Sequence, residues 1–209
     1  MKKIVLFSLI LSLTSITIQA QNSRFGLKTG LNFSKFKSDD SAVNDMSRNR
    51  TAFHIGALIA FKVSEKVSIQ PELYYSSEGG TFKYQEVGEN GITNMRTNIS
   101  TNYMSLPIMV QYYTGKHLFF EAGPQMDFLV SASSKTNAIN HFEANTAEVA
   151  DFMDSMESFN YGLGFGIGYQ ADNGVFINTR YVMGFPDLSK DEFTSIKNKG
   201  FQVSLGFML

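Results

Sequence analysis

Three side chains of this sequence are of the types that form a hydrolytic triad, namely His54, Ser105 and Asp127. In such a triad the serine attacks a carbonyl carbon, the histidine accepts the serine's proton, and the carboxylate orients the imidazole. This chemistry requires the three groups to lie in one hydrogen-bonded row. Whether they do so depends on the elements that carry them.

A second set of chemically capable residues consists of charges that stand alone in apolar or glycine-rich segments. A buried charge needs a partner of opposite sign. The mixture of signs therefore favours an internal network of salt bridges, and a polar conduit or a small-ligand site is the alternative. The set comprises Lys28, Glu72, Glu121, Asp127 and Arg180.

Other kinds of site are not indicated. The chain has no cysteine, and His117 and His141 have no metal-ligand spacing. No phosphate-binding glycine loop, zinc motif or nucleotide fingerprint is present, so we expect no metal and no cofactor. The formal charge is −1 without a basic stripe, which argues against a nucleic-acid partner.

The segments that carry these residues alternate between large apolar side chains and small or polar ones. A period of two is typical of β-strands with two different faces. Eight blocks follow it, each with five positions on the bulky face and four on the other, and no position on the bulky face is charged. The blocks are 25–33, 53–61, 67–75, 104–112, 120–128, 161–169, 177–185 and 201–209.

The bulky face is expected to point outward. A ring of eight strands encloses too little space for so many large side chains, whereas glycine and a few polar groups fit inside it. Lipid is then the only medium that covers the outside. The pattern therefore predicts an all-β fold, an eight-stranded antiparallel up-and-down transmembrane β-barrel, with outer-membrane lipid as its first partner.

Aromatic residues recur eight positions apart at the ends of four blocks. Eight residues in a tilted strand rise about 20 Å along the barrel axis, which brings the rings near the two interfaces of a bilayer. The pairs are Phe25/Phe33, Phe53/Phe61, Phe120/Phe128 and Tyr161/Tyr169.

The connections alternate between short and long. Three are tight turns, 64–66, 114–116 and 171–174, and the last contains an Asn-Gly pair that favours a hairpin. Outer-membrane barrels have short periplasmic turns and long outer loops, so both termini are expected in the periplasm. In two long, polar connections, capping boxes at Asn145/Glu148 and Ser189/Glu192 predict short helices, with plain loops as the alternative.

The first twenty residues have the composition of a signal peptide. Two lysines precede an apolar run, and Ala20 offers a small residue at a cleavage position. We therefore predict a signal peptide over 1–20 and an outer-membrane β-barrel domain over 21–209. A retained membrane helix is the alternative, although the run is short for a bilayer span.

Three segments, together with the opening Gly26–Asn32, resemble the PorT-like outer-membrane β-barrel domain family of the Bacteroidetes. The resemblance spans essentially the whole chain after the signal peptide. It implies an outer-membrane barrel, often loosely called "porin family", mostly without known activity. The segments are Gln70–Tyr75, Tyr103–Tyr113 and Phe120–Gln125.

Three prolines fall on successive predicted strands, at Pro71, Pro107 and Pro124. Because proline lacks an N–H and is rare in fully paired strands, we expect a β-bulge at each. Such bulges could reverse the inward and outward faces locally.

The predicted order of strands places His54 three strands from Asp127, which makes a triad with Ser105 hard to assemble. Our first hypothesis is therefore a non-enzymatic, monomeric barrel with a filled lumen, whose outer loops bind a protein or a cell surface. The alternatives are an outer-membrane enzyme acting on lipid or peptide, a narrow conduit or component of a secretion apparatus, and a soluble periplasmic barrel that binds an apolar ligand.

Overall fold

The computed structural model describes residues 23–38, 46–88, 91–139, 149–151, 156–186 and 196–209. Within them, no helix is long and apolar enough to cross a membrane. The strands are Ser23–Ser38 (β1), Ser47–Lys62 (β2), Val67–Gly88 (β3), Gly91–Tyr113 (β4), Leu118–Ile139 (β5), Val149–Asp151 (β6), Phe159–Gln170 (β7), Val175–Gly184 (β8) and Ile196–Met208 (β9).

Eight of these strands close into a ring. Each long strand pairs antiparallel with the next along the chain, and β1 pairs with β9, so the ring has no open edge. The short β6 lies outside the sequence of the ring and adds to the far end of β5, opposite Ser133–Lys135. The predicted eight-stranded up-and-down barrel is confirmed.

The two faces of the barrel follow the alternation in the sequence. None of the predicted inward positions is exposed, and none of the predicted outward positions is buried. On β7, for example, Tyr161 and Phe165 are exposed whereas Gly162 and Gly164 are buried. The outside is thus a continuous apolar surface of the kind that lipid covers.

The prolines do not produce bulges, and that expectation is wrong. The strand registers are the same before and after Pro71, Pro107 and Pro124. Beside Pro71 and Pro107 the pairing is interrupted for two residues, since proline has no N–H to donate, and then resumes unshifted. The register shifts lie elsewhere, between Asn49 and His54 and between Asn102 and Tyr103.

The short turns lie together at one end of the barrel, which we call the turn end; the opposite end is the outer end. In the last turn the Ala171 N–H donates to the Val175 carbonyl at 2.8 Å. Gly174 has a φ of +88°, a backbone conformation that glycine adopts without the penalty of a side chain. The hairpin predicted from the Asn-Gly pair is confirmed.

Much of what the sequence suggested as long polar connections is strand. β3, β4 and β5 have 22, 23 and 22 residues, against 12 for β7 and 10 for β8. The β3–β4 hairpin continues in register to Gly88 opposite Gly91, roughly 30 Å beyond the lipid-facing band. One side of the barrel therefore carries a tall wall, which we define as residues 77–88, 91–102 and 129–139.

The first predicted loop helix is not observed at Val149–Asp151. These residues form the strand β6, because their backbone groups pair with the projecting part of β5. The capping-box residues Asn145, Glu148, Ser189 and Glu192 lie outside the described residues, and so do the second predicted helix and the predicted signal peptide.

The outward face generates a test of the lipid-facing band. We expect Phe165→Arg, at the middle of β7, to lower the free energy of unfolding by about 2–4 kcal/mol, because an arginine at the bilayer midplane is poorly solvated. Urea titration of the protein in lipid vesicles measures this change. Tyr169→Arg on the same face is the control, since it lies near the interface, where the penalty falls to about 0–1 kcal/mol. Equal losses in the two variants would contradict the assignment.

The barrel lumen as candidate functional site

A four-membered ion cluster occupies the middle of the lumen. The Arg180 guanidinium donates to both oxygens of Glu72, at 2.8 and 3.0 Å, and to Oε1 of Glu121 at 2.8 Å. The Lys28 ammonium pairs with Oε2 of Glu72, the oxygen that lies 3.0 Å from the Arg180 guanidinium. The Glu72 and Arg180 side chains are essentially inaccessible, with 0% and 1% relative exposure. Two positive and two negative charges therefore balance inside the protein.

The cluster joins strands that are not neighbours in the ring. Lys28 lies on β1, Glu72 on β3, Glu121 on β5 and Arg180 on β8, and each residue occupies an inward position of its strand. Side-chain amides complete the hydrogen bonding of the carboxylates: Gln70 donates to Glu72 at 2.8 Å, and Asn178 donates to Glu121 at 2.9 Å. Satisfied partners are what make such a buried cluster tolerable.

Glycines on β7 provide the space for this cluster. A Cβ atom added at Gly164 would lie 3.1 Å from Cδ of Arg180, and one at Gly166 would lie 2.8 Å from Oε1 of Glu121. At Gly168 it would overlap the ring of Phe119. The alternating glycines of β7 thus match large side chains that cross the lumen from other strands.

Apolar clusters close the lumen on either side of the ions. Toward the turn end, Leu58, Ala60, Phe176 and Met208 form a buried cluster. At the outer end, Phe36, Ala132 and Met156 form another, and the Phe36 ring stacks on Phe82 with centroids 6.1 Å apart. Below the turn-end cluster lies an open vestibule of about 820 Å³, whose lining includes Arg24, Lys62, Lys66 and Lys116. In the described part of the chain, the lumen is filled by its own side chains.

Asp127 is the one residue of the predicted network that does not join it. It lies six residues beyond Glu121 on β5, or about 20 Å along the strand. Its carboxylate accepts two hydrogen bonds from the Gln125 amide, at 2.9 and 3.1 Å, and has no ion-pair partner among the described residues. It belongs to a separate polar region nearer the outer end.

The residues of the possible triad do not form a row. The imidazole of His54 lies 2.8 Å from Oδ1 of Asn32 at one nitrogen and 2.9 Å from Oγ of Ser204 at the other. Ser105 lies directly opposite Asp127 in the β4–β5 ladder. Because both nitrogens of His54 are engaged elsewhere, its imidazole is not available to Ser105 as a base.

Two residues of the lumen, Tyr74 and Glu78, were not singled out from the sequence. The Tyr74 hydroxyl donates to Gln125 Oε1 at 3.0 Å, and its ring lies 4.4 Å from the Lys28 ammonium, so it bridges the ion cluster and the outer polar region. Glu78 is buried although it was assigned to a loop. The signal for Tyr74 was its inward position, whereas Glu78 lies beyond the end of the predicted strand.

No three His, Cys, Asp or Glu residues converge on a metal-sized site within the described residues.

The sequence matches a family model described as the outer membrane protein beta-barrel domain over residues 19–190. The chain belongs to this family. Its location is accordingly the outer membrane. No curated protein sequence gives a match to the chain.

Solved structures of outer-membrane barrels are similar to this member of the family. Neisserial surface protein A is 9% identical, with 88% of this chain and 96% of that chain covered and a TM-score of 0.44. Ail, the attachment invasion locus protein of Yersinia pestis, is 9% identical, with 90% and 100% covered and a TM-score of 0.45. The outer membrane protease OmpT from Escherichia coli is 9% identical, with 90% and 98% covered and a TM-score of 0.37.

The ion cluster can be tested by changing its charge balance. In Glu72→Gln, the cations Lys28 and Arg180 face Glu121 alone, so one positive charge is left unpaired. We expect a loss of about 3–5 kcal/mol in the free energy of unfolding, because an unpaired charge in the lumen is poorly solvated. Urea unfolding in detergent micelles measures it.

The matched control removes the surplus charge. Lys28→Met combined with Glu72→Gln leaves Arg180 and Glu121 as a neutral pair, and we expect it to recover most of the lost stability. A double variant that is less stable than Glu72→Gln would show that charge balance does not govern the cluster. Glu65→Gln, at an exposed pair with Lys62, should change stability little.

Proposed function

We propose that this family member is a non-enzymatic integral protein of the outer membrane with a structural or binding role. Its barrel serves as a filled, monomeric anchor, and its projecting outer part makes the contacts with a protein or a cell surface. The observation that carries the proposal is the filled lumen, in which an ion cluster is enclosed between two apolar clusters.

The filled lumen argues against transport as the main role. A diffusion pore needs a continuous water-filled path, and an eight-stranded ring is barely wider than its own side chains. Here the Arg180 guanidinium crosses that space to reach carboxylates from two other strands. Solutes would have to break this cluster and also pass the apolar clusters on both sides of it.

The engaged histidine supports the non-enzymatic part of the proposal. The imidazole of His54 is held between Asn32 and Ser204, so it is not available to the buried hydroxyl of Ser105. A serine hydrolase requires its histidine within hydrogen-bond reach of the nucleophile. The lumen residues are thus better suited to packing than to acyl transfer.

The tall wall supports a role in binding. Its strands are paired with one another beyond the membrane, so they present a defined surface with little conformational entropy to lose on binding. Near its tip, Tyr84 lies opposite Met95 and Ile92 lies opposite Val87, and Tyr84 and Ile92 are 37% and 65% exposed. Exposed apolar and aromatic side chains within a polar rim are typical of protein contact sites.

Two narrower assignments belong to the same proposal. The segments Gln70–Tyr75, Tyr103–Tyr113 and Phe120–Gln125 support membership of the PorT-like group within the family. The composition of residues 1–20 supports export through a cleaved signal peptide. Nucleic acid is not among the proposed partners.

The filled lumen makes a prediction about conductance. Purified protein that shows the heat-dependent gel mobility of a folded barrel should produce no sustained conductance steps in a planar bilayer, because no continuous water path crosses it. The variant Glu72→Ala with Arg180→Ala, which empties the middle of the lumen, is the comparison and should show a higher rate of brief openings. Stable open channels formed by the unaltered protein would refute the proposal of a closed anchor.

The proposed contact surface can be probed in living cells. We expect a photo-reactive phenylalanine analogue at position 84 to form a discrete adduct with a protein or polysaccharide at the cell surface. The same analogue at Phe165, on the lipid-facing band, is the matched control and should yield lipid adducts alone. If position 84 gives no adduct other than those seen at 165, the tall wall is not a contact surface.

A further inference from the structure

A small cavity lies in the lumen between the ion cluster and the outer apolar cluster. Its volume is about 10 Å³, which is near the minimum that holds one water molecule or one ion of similar size. Its polar lining consists of Asn32, Ser34, Glu78, Asp127, Asn160 and Gln202. These residues come from β1, β3, β5, β7 and β9, so the cavity is enclosed by most of the ring.

Two carboxylates border this cavity. Asp127 is 5% exposed and Glu78 is 7% exposed. Asp127 accepts hydrogen bonds from the neutral Gln125 amide. The contacts of Glu78 include a hydrogen bond from the Ser76 hydroxyl at 2.8 Å. The donors to Asp127 among the described residues are neutral, so its carboxylate is stable there only if a positive charge or a proton accompanies it.

The nearby cationic side chains are directed to other acceptors. Arg180 and Lys28 bind Glu72 and Glu121, and that cluster is already neutral. The guanidinium of Arg50 donates to the Ser77 hydroxyl and to the main-chain carbonyl of Glu78, at 3.3 and 2.7 Å. None of these bonds reaches the carboxylate of Asp127.

Two amide oxygens at the same cavity provide an independent indication of a ligand. Asn160 is 3% exposed and Gln202 is 2% exposed, yet Oδ1 of Asn160 and Oε1 of Gln202 have no hydrogen-bond donor. Asn160 lies directly opposite Asp127 in the β5–β7 ladder. Buried polar atoms are rarely left unsatisfied, so such orphaned acceptors indicate a missing partner that is positively charged or donates hydrogen bonds.

We propose that this cavity is a binding site for a single hard divalent cation, with Ca²⁺ as the cation that fits it best. Carboxylates and amide carbonyls are the ligands that Ca²⁺ prefers, and its coordination geometry is flexible enough for groups from four different strands. The site has carboxylates from Asp127 and Glu78 and amide oxygens from Asn160 and Gln202. A bound cation would neutralise Asp127 and fix the outer half of the barrel.

The test is a Ca²⁺ titration of the full chain, folded in uncharged detergent micelles after treatment with a chelator, at constant ionic strength. We expect one Ca²⁺ per barrel by calorimetry. We also expect the midpoint of thermal unfolding to rise saturably, by about 5–10 °C when Ca²⁺ is roughly 100-fold above the dissociation constant. Asp127→Asn should abolish both effects.

Two further variants make the result specific. Asp172→Asn makes the same chemical change at a carboxylate that is 92% exposed in a turn, and it should bind Ca²⁺ like the unaltered protein. Asn160→Ala removes one orphaned oxygen without changing charge, and it should weaken binding by about tenfold or more. It also provides the test if Asp127→Asn does not fold.

The opposite results are equally clear. A cavity that holds only water predicts no Ca²⁺ stoichiometry and no shift of the unfolding midpoint in the unaltered protein. A shift of equal size in Asp127→Asn would place the bound cation elsewhere. Either result overturns the proposed site.

Discussion

The interaction on which the structure depends is the one between Arg180 and the carboxylates of Glu72 and Glu121, inside a ring too narrow to solvate them. With Lys28, which also pairs with Glu72, the cluster has two positive and two negative charges, and in such a place they are stable only together. Each must therefore face inward at the matching height, which restricts the register of the four strands that carry them. A register slip of one residue would turn one of these charges outward into lipid. The cluster therefore also holds the apolar face of each strand toward the outside.

The remainder of the lumen is adapted to this centre by volume. Where Arg180, Glu121 and Phe119 cross the interior, β7 contributes glycine, since a side chain there would occupy the same space. Toward both ends the polar groups give way to apolar clusters around Phe176 and Phe36. Along the axis from the turn end, the side chains that fill the lumen are first apolar, then ionic, then polar, and again apolar. Such an interior suits an anchor rather than a passage.

The sequence predicted the barrel because the two faces of every strand differ. The number of strands, the side that points outward and the short turns could therefore be inferred from the order of apolar and polar residues. It did not predict the tall wall, because both faces of the sheet carry polar residues there and the alternation disappears. Thr97 and Asn98, for example, are consecutive on β4 and so face opposite sides, yet both are polar. The bulges expected at the prolines are absent because a missing N–H interrupts the pairing of a strand without shifting its register. Asp127 was grouped with Arg180 because alternation defines a face, whereas contact also requires the same height, and that depends on the stagger between strands.

The position of Arg180 along the chain has a consequence for how the barrel assembles. A ring that lacks β8 contains Lys28, Glu72 and Glu121 without the guanidinium of Arg180, so these three carry a net negative charge. A sheet that lacks its last strands would hold an unneutralised carboxylate as well as an open edge, and neither is tolerated in lipid. Insertion and closure of the ring are therefore coupled, and partly assembled intermediates are unstable within the bilayer. A neutral lumen thus requires every strand that carries a member of the ion cluster.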